Sequence, residues 1–226
     1  LRKAKTMPTA LFRFICALLV LLPLAAYADD ASDFAAANNS VQAQLLESWA
    51  AHPTPARVEL INSLQQGQIT VDGQVKTLRL NNRLRGLVET ALASHQLLAA
   101  DPKLRLSAAQ QLQKSAKPAQ LTFLDQRLAE ETDSDVHTAL SLALANLQLV
   151  DPDPAVRLRA VRLLGETGEP LARTRLENLL QPDVEADQTV RTAAETSLAQ
   201  VKRKLLIGDL LGQAFSGLSL GSILLL

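Results

Sequence analysis

Apolar residues recur three and four positions apart through most of the chain, the spacing of helices with one buried face. Over 32–52 the sequence is rich in Ala, Gln and Leu, with Leu45, Leu46 and Trp49 at helical spacing. His52-Pro-Thr-Pro55 then breaks the pattern, because proline lacks an N–H and restricts the residue before it. A short helix is predicted over 56–65, and helix resumes over 80–99. Between them Gln68–Val71 and Gln74–Leu78 flank Asp72-Gly73. A type I′ turn needs positive φ at both central positions, which Asp-Gly accepts, so one small β-hairpin is predicted over 68–78.

A repeated pattern follows. Asp101-Pro-Lys-Leu-Arg105, Asp133-Ser-Asp-Val-His137, Asp153-Pro-Ala-Val-Arg157 and Asp187-Gln-Thr-Val-Arg191 share an Asp, an aliphatic residue three on and a basic or imidazole residue four on. Ala108, Leu140, Ala160 and Ala194 come next, then Leu112, Leu144, Leu164 and Leu198. Each Asp is placed to cap a helix N-terminus, where it accepts from free N–H groups and meets the positive end of the dipole. The aliphatic, small and Leu positions form one buried face, and the small residue admits a close neighbour. Arg105, His137, Arg157 and Arg191 sit one turn after their Asp, placed to pair with it or with the Asp of the next repeat. The spacing is 32 residues from Arg105 to His137, 20 from His137 to Arg157 and 34 from Arg157 to Arg191. Twenty is too short for a helix pair, so a helix over 134–149 either lacks a partner or serves as one. The pattern resembles HEAT-type repeats, pairs of antiparallel helices stacked into a solenoid.

Both ends of the chain depart from this pattern. Arg2, Lys3, Lys5 and Arg13 precede an apolar run from Phe14 to Ala26, and Ala26-Tyr-Ala28 follows; Met7 is the expected translation start. A basic region, a short apolar core and an A-x-A site make a secretory signal peptide over 1–28. Cleavage is expected after Ala28, so N-terminal sequencing of exported material should begin at Asp29; an intact N-terminus there would make the segment an anchor. At the other end Leu210–Leu226 is seventeen residues without a charge. This reads as the start of a transmembrane helix over 205–226, with Gly212, Gly217 and Gly221 as small faces for packing in lipid.

Composition narrows the function. Lys plus Arg equal Asp plus Glu at 23 each, and removal of 1–28 leaves a net charge of −4, so no basic excess serves nucleic acid. Aromatic residues are only 3%, too few for a base-stacking surface. Cys16 is the one cysteine and falls within the signal, so neither a disulfide nor a cysteine zinc site is available after cleavage. His52, His95 and His137 form no ligand cluster in sequence. Gly165-Glu-Thr-Gly168 reads as a helix end and turn, not a phosphate loop, and the acidic residues near 130–135 and 183–187 read as caps and solvated faces. No catalytic, metal or cofactor-binding residue is assigned, and the chain reads as not an enzyme.

The C-terminal stretch Gly217-Leu-Ser-Leu-Gly-Ser-Ile223 resembles the opening of the first membrane helix in ABC permeases of the branched-chain amino-acid type. Leu45-Leu-Glu-Ser-Trp-Ala50, Leu80-Asn-Asn-Arg-Leu-Arg85 and Leu142-Ala-Leu-Ala-Asn-Leu147 resemble the exported domain found in one subgroup, the permeases for urea and short-chain amides. The resemblance implies an all-α fold: an irregular HEAT-like α-solenoid with one β-hairpin, after a signal peptide and before the first membrane helix. It divides the chain into 1–28, an N-terminal helical segment 29–100, repeats over 101–204 and a truncated span 205–226. It implies an N-terminal fragment of a permease in the bacterial inner membrane, with 29–204 on the periplasmic side as a protein-interaction module. The implied partners are the other permease subunit, the ATPase subunits and a periplasmic substrate-binding protein. Lys202-Arg-Lys204 opposes this topology by the positive-inside rule. Export begins before that junction is made, so the trio reads instead as the end of the last repeat helix, where cations complement the dipole. Two other readings are a free-standing exported repeat scaffold and a HEAT-like lyase acting on tetrapyrroles.

Overall fold

A computed structural model describes residues 30–224, with side-chain surroundings through Phe215. The expected signal peptide and its cleavage site at Ala28 lie outside the described residues. The chain is mostly helical with one two-stranded hairpin, and it divides into two compact units between Ala108 and Ala109.

In the first unit a helical stretch over 30–36 (α1) leads to α2 (Asn39–Ala51), where Asn38 caps the helix by accepting from the N–H groups of Ser40 and Val41. The prolines at 53 and 55 end α2, and a 3-10 turn at Pro55–Arg57 opens α3 (Val58–Gln65). Strands β1 (Gln68–Val71) and β2 (Gln74–Thr77) pair antiparallel, with Val71 opposite Gln74. Asp72 and Gly73 both have positive φ, as the two-residue turn demands. Ile69 and Val71 alternate into the core while β2 is exposed throughout, Val75 included. Helix α4 (Asn82–Gln96), capped by Asn81, packs on α2 and α3. Phe34, Leu46, Trp49, Ile61, Leu64 and Leu84 are among the side chains that close this core.

Helix α5 (Pro102–Ser115) crosses from one unit to the other. The second unit continues with α6 (Leu121–Glu130), α7 (Ser134–Gln148), α8 (Pro154–Glu166), α9 (Pro170–Leu179) and α10 (Gln188–Leu224). Two side-chain amides tie the end of α5 to α7: Gln113 donates to Ala139 O, and Asn146 donates to Gln113 O. Helix α7 is buried on nearly every side, from Val136 and Ala139 through Leu140–Ala145, because it lies between other helices. It packs against both α6 and α8. This accounts for the 20-residue spacing seen in sequence: α7 opens with the repeat pattern and is also the partner that precedes α8. Helices α8, α9 and α10 close a second core around Ala160, Val161, Leu164, Ala172, Leu176, Val190, Ala194 and Val201.

Candidate interaction surface of the second unit

All four aspartates of the repeat pattern cap helices. Asp101 accepts from Lys103 N at 2.9 Å, Asp133 from Asp135 N and Val136 N, Asp153 from Ala155 N at 2.9 Å and Asp187 from Val190 N at 3.0 Å. Asp153 is exposed and Pro154 fills the first position of its helix, where the missing N–H costs nothing. Asp153→Ala is therefore expected to cost about 1 kcal/mol through the lost cap alone, read by denaturation of the whole chain in mild detergent. Loss of several kcal/mol would show that the side chain does more than cap.

The basic residues do something other than what their spacing suggested. One oxygen of each aspartate is taken up by its own helix end, and a side chain in the first helical turn leans back toward the N-terminus. There it meets the carbonyls of the entering chain. Arg105 Nη1 donates to Ala99 O and Ala100 O, and Arg157 Nη1 donates to Asp151 O and Pro152 O. Arg191 donates to Glu185 O and Leu180 O. His137 is half-buried, and its shorter ring makes no such contact among the described residues. The buried-face assignment holds at Val136 and Val190, whereas Leu104 is exposed, since the buried stripe of α5 starts one turn later at Ala108 and Ala109.

Arg157 makes a second attachment. Its Nε and Nη2 each donate at 2.8 Å to Glu185, whose side chain is only 2% exposed. Glu185 also accepts from Asp187 N at 2.8 Å. The hydrogen bond from Arg157 holds the Glu185 carboxyl below the usual glutamate range against the opposing effect of burial, with Asp187 N adding to it. The same bond raises the guanidinium's own pKa. Thus one side chain fastens the entry to α8 to the segment that enters α10. Glu131 has an analogous place two residues before Asp133: it is buried, accepts from Thr132 N and Asp133 N, and meets Arg127 Nη2 at 3.4 Å. The acidic stretches at 130–135 and 183–187 are therefore not only caps and solvated faces. In each, the acid two positions before the capping Asp is buried because neighbouring N–H groups and an arginine satisfy it. The recurring Glu-x-Asp at 131–133 and 185–187 is the signal that marks these residues in sequence.

Gly165 lies inside α8, one residue before its end. A Cβ placed there would stand 2.7 Å from Ser197 Oγ and 2.9 Å from Ser197 Cβ, so the glycine permits α8 and α10 to touch. Gly165→Ala is expected to destabilise by about 1–3 kcal/mol through overpacking, and Ser197→Gly in the same chain should recover most of it. A neutral Gly165→Ala would mean that α10 shifts freely. Beside this contact Arg162, Glu166, Ala193, Thr196, Ser197 and Gln200 line an open polar groove of about 390 Å³.

Lys202-Arg-Lys204 does not end a helix, because α10 runs on to Leu224. Lys202 meets Glu177 of α9 at 3.1 Å, and Lys204 Nζ donates to Glu166 O at 2.6 Å, placing its charge at the C-terminus of α8 rather than of its own helix. Past that point α10 exposes Leu206, Ile207, Leu210, Leu211 and Phe215. Gly212 is on this stretch, with open space where a Cβ would stand, while the surroundings of Gly217 and Gly221 lie outside the described residues. No helix among the described residues is long and apolar enough to cross a membrane.

In the first unit, Arg57 joins three groups that its sequence context did not announce: it pairs with Asp30 at 2.6 Å, donates to His52 O and lies 5.8 Å over the Trp49 ring. His95 is buried with Nδ1 at 2.8 Å from Ala91 O, and burial lowers its pKa below the usual histidine value. Among the described residues no group of three or more His, Cys, Asp or Glu side chains is placed to hold a metal ion. No protein-family model and no curated protein sequence matches the chain.

Proposed function

We propose that the chain is the exported N-terminal portion of an ABC importer permease for urea or related small amides. In this reading the second unit is part of an irregular HEAT-like solenoid on the periplasmic side, and 205–226 begins the first membrane helix. The observation that carries it is the end of α10. The helix leaves the core after Val201 and Leu205, exposes five large apolar side chains between Leu206 and Phe215, and continues through a sequence without a charge after Asp209. The signal-like N-terminus and the family-like Gly217–Ile223 stretch support the same order of parts. With no catalytic constellation assigned, surface is what the helical part contributes, and stacked helices make extended faces for protein partners. The other permease subunit, the ATPase subunits and the substrate-binding protein are the partners proposed.

Uptake of labelled urea and acetamide by cells lacking the gene tests this. Loss of uptake, restored by the intact gene and impaired when 29–204 alone is deleted from it, is the expected result. Unchanged uptake in the null strain would overturn the transport reading. The second reading, a free-standing exported scaffold, is favoured by Lys202-Arg-Lys204, which opposes an exported flank at that junction by the positive-inside rule. Alkaline extraction separates the two: a permease stays with the membrane, and a scaffold is released.

A further inference from the structure

A histidine ring lies inside the first unit without a full set of partners. His95 stands in the last turn of α4, is 1% exposed, and is followed by the fully buried Leu97. Its Nδ1 is 2.8 Å from Ala91 O. A carbonyl accepts and cannot donate, so Nδ1 carries the proton of the neutral ring and Nε2 is left with a bare lone pair. Nε2 is buried and has no hydrogen-bond partner among the described residues. A proton there would bring into the core a full charge and a second N–H without an acceptor. The surrounding charges do not offset this. Arg57, in the turn that opens α3, acts on the ring as a like charge, and it is itself held against Asp30 and over Trp49. On the helices packed with α4, Glu47 of α2 is half-buried, and His52 after α2 and Glu59 of α3 are exposed. Arg83, Arg85 and Glu89 of α4 itself are exposed as well. Ala91 O favours the cation, but burial acts more strongly in the other direction.

We infer that His95 is an acid-sensitive latch of the first unit: while Nε2 is bare the end of α4 stays packed, and protonation of Nε2 drives the ring out and opens that end. The way out is short. Gln96 ends α4, so the ring leaves once the last turn is undone, with the hydrogen bonds from Leu97 N to Ala93 O, Leu98 N to His95 O and Ala99 N to Gln96 O. Leu97 leaves with it, and the interior loses a fully buried side chain. The sign follows from linkage. The ordinary histidine value is about 6.5, and the folded one lies below it. Between the two, the unfolded chain binds a proton that the folded chain refuses, so stability falls as pH falls. Above about pH 6.5 the latch holds at nearly full strength.

Trp49 is the chain's single tryptophan and lies buried in the core of the first unit, so its fluorescence reports on that unit. The test is guanidinium denaturation of the whole chain in mild detergent, followed through Trp49 at about pH 7.5, 6.5 and 5.5. In the wild type the folded-to-unfolded ratio is expected to fall about three- to fivefold from pH 6.5 to 5.5, and less than about twofold from 7.5 to 6.5. His95→Phe fills the space of the ring, and His95→Gln is polar without titrating. Both should lose the step below pH 6.5, whatever their stability at the highest pH, and either one that folds suffices for the comparison. A step of wild-type size retained in a variant would overturn the latch and assign the acid sensitivity to other groups. A wild-type ratio that stays constant over the whole range would overturn it as well.

Discussion

Replacing Glu185 with alanine should destabilise the second unit by about 2–4 kcal/mol, because Arg157 is left half-buried beside an empty carboxylate position. Arg157→Ala should cost a similar amount, since it strands a carboxylate that is 2% exposed and frees the carbonyls of Asp151 and Pro152. The double variant should lose less than the sum, because neither charge is then left uncompensated. Far-UV circular dichroism during chemical denaturation, on the whole chain in mild detergent, measures all three. Full additivity would mean that the two side chains do not act on each other. The pair also predicts acid sensitivity with a definite sign. The folded-state pKa of Glu185 is depressed, so its contribution is complete above the unfolded value of about 4.3 and fades as pH falls through the folded one. Below about pH 4.3 the wild type should therefore lose stability faster than Glu185→Gln. Parallel acid limbs would assign the sensitivity to other carboxylates.

Leu164→Ala is expected to cost about 2–5 kcal/mol. Leu164 is fully buried in the core shared by α8, α9 and α10, and truncation there removes apolar contact and leaves a cavity between helices whose spacing is set by Gly165 against Ser197. Replacement by Met, of similar volume, should cost less than about 1.5 kcal/mol. The same denaturation measurement ranks them, with Asp153→Ala expected nearer the conservative change. An alanine variant as stable as the Met variant would mean that the core collapses around the gap and that α8 is not held by close packing.

The helix starts were legible in the sequence because their causes are local. A capping Asp reaches N–H groups two or three residues away, so Asp101, Asp133, Asp153 and Asp187 could be placed without knowing what the helices touch. The hairpin was legible for the same reason, since Asp72-Gly73 meets the turn's demand for positive φ within two residues. The period of apolar residues also placed Ala108, Leu140, Ala160, Ala194, Leu112, Leu144 and Leu164 in the interior. What the arginines grip was not legible. Arg157 finds Glu185 28 positions away, and only the packing of α8 beside α10 brings the two together. Glu131 and Glu185 looked solvated because acidic residues usually are; arginines and backbone N–H groups from the folded chain made their burial possible. Gly165 read as part of a turn, and its role as a point of contact exists only once Ser197 lies against it. The exposure of Leu104 and of the large apolar side chains of α10 from Leu206 to Phe215 belongs to the same class. A periodic pattern says which side of a helix is apolar, but whether another element covers that side is decided by the tertiary fold.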